Sequence, residues 1–382
     1  MRIGDSEDEG SFRAELRSWL SGQIPSGAPH SWSSEQLRSW SRSLYQAGYA
    51  GLSWPVEHGG RGLPPAYQAI YAEESARAGA PDHVNVIGLN MVGPTIIRYG
   101  SQAQQATFLP RILSGETIFC QGFSEPDAGS DLASVRTRAQ AHPDGYLVDG
   151  EKVWSSYAHL ADYCLLLVRT DPEAVKHAGL TCLLLDMRAP GVQVRPLREL
   201  SGDTDFNQII LTGVRVSSDT VLGPVGEGWR VAMTTLAHER GTFGITLTSR
   251  LSAELDRLIE TVLALGADSD PLVRKEIAEL HLHLQGLRFT GYRALAELRR
   301  TGEPGAESSI LKLGWSVANQ RLTALALRVL GPDAAFDGPD AFWGGYWQRQ
   351  HLRSRTNSIE GGTSEILRGI VAERVLGLPR TR

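Results

Sequence analysis

The chain has 382 residues, 38 Lys+Arg against 43 Asp+Glu for a net charge of −5, and 41% apolar residues, enough for two or three domains with substantial cores. The mildly acidic balance offers no basic stripe and argues against a nucleic-acid partner, and no apolar run of about 18 residues exists, which argues against a membrane span. The acidic opening Met1–Glu9 lacks the apolar stretch of a secretory signal. The three cysteines, Cys120, Cys164 and Cys182, have no zinc spacing, so they read as buried small hydrophobes of a cytoplasmic protein.

In chain order, the first stretch is helical. Apolar residues recur at helical spacing in Phe12, Leu16, Trp19 and Leu20, and again in Leu37, Trp40 and Leu44. The run Trp54-Pro55-Val56-Glu57-His58-Gly59-Gly60-Arg61-Gly62 is a loop. Further helices are predicted over 65–77 and 102–114.

From about residue 118 the texture changes to short β-branched and aliphatic runs. Asp144-Gly145 and Asp149-Gly150 read as turn pairs around Tyr146-Leu147-Val148, with Lys152-Val153-Trp154 following, which is a hairpin signal. Strands are predicted through 163–168, 180–185, 192–194 and 208–211. Five or more strands with no helix between them argue for an antiparallel barrel or sandwich, not a doubly wound sheet.

After the glycine-rich run 223–228 the helical period returns, interrupted by proline only at 271, 304, 332, 339 and 379, which leaves room for about four long helices in a bundle. The expected fold is therefore α+β: an N-terminal helical domain over 1–117, a central antiparallel β-barrel domain over 118–223 and a C-terminal four-helix bundle over 224–382.

Generic motifs are missing. No GxGxxG opens a helix after a strand, no GxxxxGK[ST] occurs, and neither HExxH nor GxSxG is present. The run 223–228 reads as a turn cluster, and His281 and His283, two apart on a helix, face different ways. No metal site is expected.

Three segments are specific. The first is Phe123-Ser124-Glu125-Pro126-Asp127-Ala128-Gly129-Ser130-Asp131, the second Lys152-Val153-Trp154-Ser155-Ser156-Tyr157-Ala158, and the third Ser358-Ile359-Glu360-Gly361-Gly362-Thr363-Ser364-Glu365-Ile366-Leu367-Arg368. They resemble, in the same order, the [TS]-E-P-x-A-G-S-D, K-x-W-[IT]-[ST] and E-G-T-x-[EQ]-I-x-R signatures of the acyl-CoA dehydrogenase family, and the resemblance covers essentially the whole chain.

That resemblance implies FAD as cofactor and dehydrogenation of an acyl thioester, acyl-CoA or, less favoured, an acyl carrier protein conjugate. It places Phe123, Ser124, Gly129 and Ser130 in a turn that lets the backbone approach flavin and phosphates closely. Trp154 would lie against the flavin ring, Ser156 near N5, and Thr363 and Glu365 would contact the cofactor. It also implies an electron-transfer flavoprotein or similar acceptor.

The base is the point of departure. Many members carry it as the Glu of the E-G-T loop, a position held here by Gly361. A second family solution takes the Glu from the first long helix of the C-terminal domain in an L-x-x-E-R pattern, and Leu236-Ala237-His238-Glu239-Arg240 matches it. Glu239 is therefore the expected base, with Gly361 leaving space for it and Glu360 as the rival.

The family's R-x-x-F-G and Q-x-x-G-G-x-G segments, which complete the FAD site across a subunit boundary, have no clear counterpart. Arg274 and Gly331 stand as candidates in their place. Such departures resemble members that work as heterotetramers with a related subunit, often on bulky acyl groups; a homodimer or homotetramer is the other option. A flavin-dependent monooxygenase and a non-catalytic partner subunit are the competing readings.

Overall fold

The computed structural model describes residues 4–24, 32–301, 305, 306 and 308–379, and of residues 239–243 the backbone only. Its contacts divide the chain into two compact units, Pro25–Leu63 with Pro81–Glu239, and Met1–Ile24 with Pro64–Ala80 and Arg240–Arg382. The fold class is the expected one, helices followed by a mostly antiparallel sheet and then a helical bundle. No helix among the described residues is long and apolar enough to cross a membrane.

The helices of the N-terminal range are α1 Glu7–Gln23, α2 Ser34–Gln46, α3 Pro65–Ala78, α4 Gly93–Tyr99 and α5 Gln102–Leu113. Eight strands follow: β1 Phe119–Gly122, β2 Arg138–His142, β3 Gly145–Ser156, β4 Tyr163–Arg169, β5 Leu180–Asp186, β6 Val192–Pro196, β7 Phe206–Ser217 and β8 Val221–Leu222. They form one sheet in the order β6-β7-β3-β2-β4-β5-β8, with β1 beside β4. All pairings are antiparallel except those of β4 with β1 and β2.

The apolar runs of β4 and β5 are explained by their two covered faces. Leu165, Leu167, Leu180, Cys182 and Leu184 join a core with Ile96, Phe108, Ile112 and Val231. Their neighbours Cys164, Leu166, Val168, Leu183 and Leu185 face Val148, Ile209, Leu211, Val214 and Val216. Successive residues point to opposite sides of a strand, so a strand covered on both must be apolar throughout. Each fully buried leucine contributes about 2 kcal/mol, and a charge at Leu166 would break both its packing and the register. All three cysteines are free and buried, as expected.

One turn prediction is corrected. β2, which was not predicted, and β3 form a hairpin turning at Pro143-Asp144, beside the Asp144-Gly145 pair. Asp149-Gly150 makes no turn, because β3 runs unbroken along β7 and absorbs the pair as a bulge between Val148 and Gly150. Gly150 has φ 150, and a Cβ there would lie 2.6 Å from Thr137 Oγ1, so the glycine serves close approach within a strand.

His83 pins the loop before α4. Its Nε2 meets the Leu113 carbonyl at 3.1 Å and its Nδ1 accepts from Asn85 N at 3.1 Å, which fixes a neutral imidazole. Burial, opposed by the bond to Leu113, takes its pKa from 6.5 to about 4. Between those values the unfolded chain binds a proton that the folded chain does not, so stability rises with pH. The contribution is complete above about 6.5, falls progressively as pH drops to about 4, and amounts to about 3 kcal/mol. Urea unfolding from pH 7 to 4.5 is expected to show this loss, and His83→Gln a flatter dependence; equal slopes would remove His83 as the cause.

The second unit is built around α6 Gly228–Ala264, α7 Pro271–Thr301, α8 Ser308–Leu330 and α9 Tyr346–Ser354, with α10 Ser364–Ile370 after them. α6 begins in the first unit and enters the second after Glu239. Its Leu247, Leu251, Leu255, Leu258 and Val262 form one face against Leu280, Leu284, Leu287, Leu311, Leu322 and Leu325, the spacing of an amphipathic helix. Trp347 is fully buried among them and donates Nε1–H to Thr261 Oγ1 at 2.9 Å. α1 and α3 belong to this unit and are tied by Glu74, which accepts from Arg13, Arg17 and Arg77.

Candidate active site

The first motif leaves β1 as a tight turn. Glu125 N donates to the Ala128 carbonyl at 3.1 Å and Ala128 N to the Glu125 carbonyl at 3.0 Å, closing a loop with Pro126-Asp127 at its tip. Proline at the first central position presets the turn. Phe123 is buried, Ser124 half-buried, and Gly129 and Ser130 exposed; a Cβ on Gly129 would meet nothing within 4 Å.

This loop is fastened to the second motif from below. Lys152 is fully buried; its Nζ donates to Glu125 Oε1 at 2.8 Å and to the Phe123 carbonyl at 3.1 Å. Glu125 also accepts from Arg136 N at 2.6 Å and Thr137 N at 2.8 Å. Burial pushes its carboxyl up, but the Lys152 ammonium and the backbone donors more than offset this and hold it below the ordinary carboxylate value. One residue on, Val153 N donates to the Ser124 carbonyl at 2.9 Å.

Immediately beyond, β3 bulges between Lys152 and Ser155 in its pairing with β7. Trp154 sits in the bulge at φ 62 with 61% of its surface exposed. A left-handed backbone at a bulky residue is a costly conformation that clusters at ligand sites. The bulge is held from the far side by Asn207, whose Nδ2 donates to the Ser155 carbonyl at 3.2 Å. Ser156 follows, half-buried at the end of β3. The segments 123–129 and 152–156 are thus brought side by side.

The third motif lies in the other unit. Gly361 and Gly362 take φ 60 and φ 93, and Thr363 caps α10, its Oγ1 accepting from Ile366 N at 3.3 Å. Glu365 is exposed, with its carboxyl held below the ordinary value by its own backbone N–H and the Thr363 hydroxyl. The buried Lys312 of α8 donates to the Gly362 carbonyl at 2.9 Å and supports this loop. Glu360 is occupied: Arg353 meets both its oxygens, at 2.9 and 3.3 Å, and Asn357 Nδ2 donates to Oε1 at 2.7 Å.

Glu239 lies on α6, and its side chain is outside the described residues. Arg274 is exposed in the first turn of α7, and Gly331, at φ 58, is exposed just after α8. The Glu276–Arg328 ion pair joins those two helix ends, so both candidates lie at the same end of the bundle. The residues that sequence reasoning left without a role are Glu125, Lys152 and Lys312; for Lys312 the available signal was a charge set in an otherwise apolar stretch, and Glu125 and Lys152 lie within the two matched motifs.

Comparison with known proteins gives the same motifs a family. Residues 6–116, 120–214 and 226–376 match the N-terminal, middle and C-terminal domains of acyl-CoA dehydrogenases. The chain belongs to the acyl-CoA dehydrogenase family. Among its relatives, acyl-CoA dehydrogenase IpdE1 of Mycobacterium tuberculosis is 40% identical over 98% of this chain and 99% of its own. Among solved structures, the ChsE4-ChsE5 complex from Mycobacterium tuberculosis superposes with a TM-score of 0.88 at 31% identity, covering all of both chains. The Tcur3481-Tcur3483 steroid ACAD superposes with a TM-score of 0.89 at 30% identity, also over all of both chains. The protein is therefore an enzyme of the acyl-CoA dehydrogenase family.

Proposed function

We propose that this acyl-CoA dehydrogenase is FAD-dependent, desaturates the α,β bond of a bulky, steroid-like acyl-CoA, and works in assembly with a related subunit. The observation that carries the cofactor reading is Trp154, held exposed at φ 62 beside the turn of Ser124 to Gly129. An aromatic face and an open glycine-bearing turn fit a flavin and its phosphates. Phe123, Ser124, Gly129, Ser130, Trp154 and Ser156 are the residues proposed to hold it, with Thr363 and Glu365, and Arg274 and Gly331, as further candidates.

When bound, FAD supplies the acceptor for the hydride from Cβ. The chain's own part is the proton: Glu239 takes it from Cα onto its carboxylate, and Gly361, lacking a side chain, leaves the space the loop Glu would fill. A thioester α-proton is weakly acidic, so the base must be positioned and the carbonyl polarised. The bulky substrate and the second subunit are supported by the family departures around Arg274 and Gly331, and by the steroid and two-protein descriptions of the similar structures. An electron-transfer flavoprotein is the proposed acceptor of the electrons.

The test is a visible spectrum of the chain alone and coexpressed with a related subunit, followed by anaerobic addition of short, branched, long and steroid-like acyl-CoAs. Bleaching by the steroid-like thioester is expected. Bleaching only by short chains would overturn the substrate class, and a yellow protein that no thioester bleaches but that consumes oxygen when reduced would favour the monooxygenase. A protein that stays colourless in both preparations would sink the flavin reading.

A further inference from the structure

We propose that the buried Glu125–Lys152 pair is a positioning device that fixes the turn of Ser124 to Gly129 and the Trp154 bulge in one register for cofactor binding. The inference rests on the flavin reading above and adds two residues that do not themselves face the cofactor.

The first ground is energetic. Lys152 has no exposed surface and the Glu125 side chain only 9%, so both charges are removed from water. Several kcal/mol of desolvation per ion are recovered only with saturated geometry, and a well-packed apolar replacement is often as stable. The pair is densely bonded: Glu125 Oε1 accepts from Lys152 and Thr137 N, Oε2 from Arg136 N, and Nζ also reaches the Phe123 carbonyl. The sheet's interior otherwise holds apolar residues such as Val148, Leu166, Ile209 and Leu211 and uncharged polar ones such as Thr137, Ser155, Thr181 and Asn207. The sheet therefore does not need an ion pair to fold.

The second ground is location. Glu125 directly follows Phe123 and Ser124, and Lys152 precedes Trp154 by two residues. Gly122 in β1 lies alongside: a Cβ there would crowd Cys164 Sγ at 2.8 Å and Leu166 Cδ1 at 2.9 Å and would touch Lys152 Cγ at an ordinary 3.5 Å. A residue strained like Trp154 persists only where its surroundings over-determine it. The bulge has one anchor on each side: Lys152 before it and the Ser155 carbonyl, bonded to Asn207, after it. Apart from the Lys152 side chain, the Val153 N to Ser124 O bond ties turn to strand.

The single variant Lys152→Met strands a buried carboxylate and is a poor test, because it can fail to fold. The double variant Glu125→Gln with Lys152→Met removes both charges and keeps one acceptor oxygen, for either the Arg136 or the Thr137 N–H, at the loss of the other bond. It is expected to melt, as apo-protein, within a few degrees of the parent. Amide exchange in 123–136 and 153–156 should accelerate about tenfold while β4 and β5 keep their protection, and FAD should bind about tenfold more weakly.

Unchanged exchange in those segments would overturn the clamp, whether or not flavin is present. Faster exchange with unchanged FAD affinity would overturn its cofactor role, as would a loss of affinity that merely tracks a lowered melting temperature. A parent that takes up no FAD, alone or coexpressed, would instead defeat the flavin reading, and the exchange result would still decide whether the pair sets the register.

Discussion

Glu239→Gln is expected to retain flavin and to slow substrate-driven bleaching by about 10³-fold, within the range for loss of a general base. Glu360→Gln should stay within about fivefold of the parent, the scale of a partly exposed ion pair. The two differ because a base needs a carboxylate lone pair free for the Cα proton. Both oxygens of Glu360 are engaged by Arg353, and Oε1 by Asn357 as well, so the rival is committed to holding its own loop. Glu239 matches the L-x-x-E-R helix pattern, and Gly361 holds the position of the loop Glu that other members use. Stopped-flow reduction under anaerobic conditions separates the cases, since a lost base slows the chemical step while flavin content is unchanged. If Glu360→Gln abolished bleaching and Glu239→Gln did not, the base would have been misassigned.

Much of the architecture was legible because burial writes itself into periodicity. The 65–77 and 102–114 predictions became α3 Pro65–Ala78 and α5 Gln102–Leu113, and the unbroken apolar runs of β4 and β5 signalled strands covered on both faces. What was not legible depended on partners distant in sequence. Asp149-Gly150 carries the chemistry of a turn, yet a dipeptide turns only if the residues after it pair with those before it. Here β7 supplied a longer ladder and converted the pair into a bulge. The parallel pairing of β1 with β4 was hidden for the same reason, since an apolar strand does not name its neighbour.

The site followed the same division. Trp154 and the Ser124 to Ser130 turn could be picked out by motif, but the connection between them could not. Glu125 and Lys152 are 27 positions apart, and only the folded sheet shows that their side chains meet. Lys312 is a further case: a lysine within the apolar face of α8 looks anomalous in sequence, and its purpose emerges only with the Gly362 carbonyl in place. For Lys312 the charge in an apolar stretch was the usable warning, because a buried charge is kept only where something satisfies it; Glu125 and Lys152, set among polar neighbours, carried no such warning.

Trp154→Gly should separate binding from folding. With 61% of its surface exposed, the side chain contributes little to the core. Glycine adopts φ 62 without a steric penalty, and the relief, of the order of 1 kcal/mol, offsets the added freedom of the unfolded chain. The apo-protein is therefore expected to melt within a few degrees of the parent. Flavin affinity should fall far more: burying roughly 100 Å² of ring at about 25 cal/mol per Å² is worth about 2.5 kcal/mol, or about 10²-fold. Trp347 is the control, being fully buried with its Nε1–H satisfied by Thr261. Trp347→Ala should cost about 3–5 kcal/mol of stability with no specific effect on the cofactor. Apo-protein melting and flavin titration of the two variants give opposite profiles if Trp154 is a cofactor contact. If instead Trp154→Gly destabilised the apo-protein as much as Trp347→Ala and left flavin affinity intact, Trp154 would be a structural aromatic and the strained bulge would serve the sheet alone.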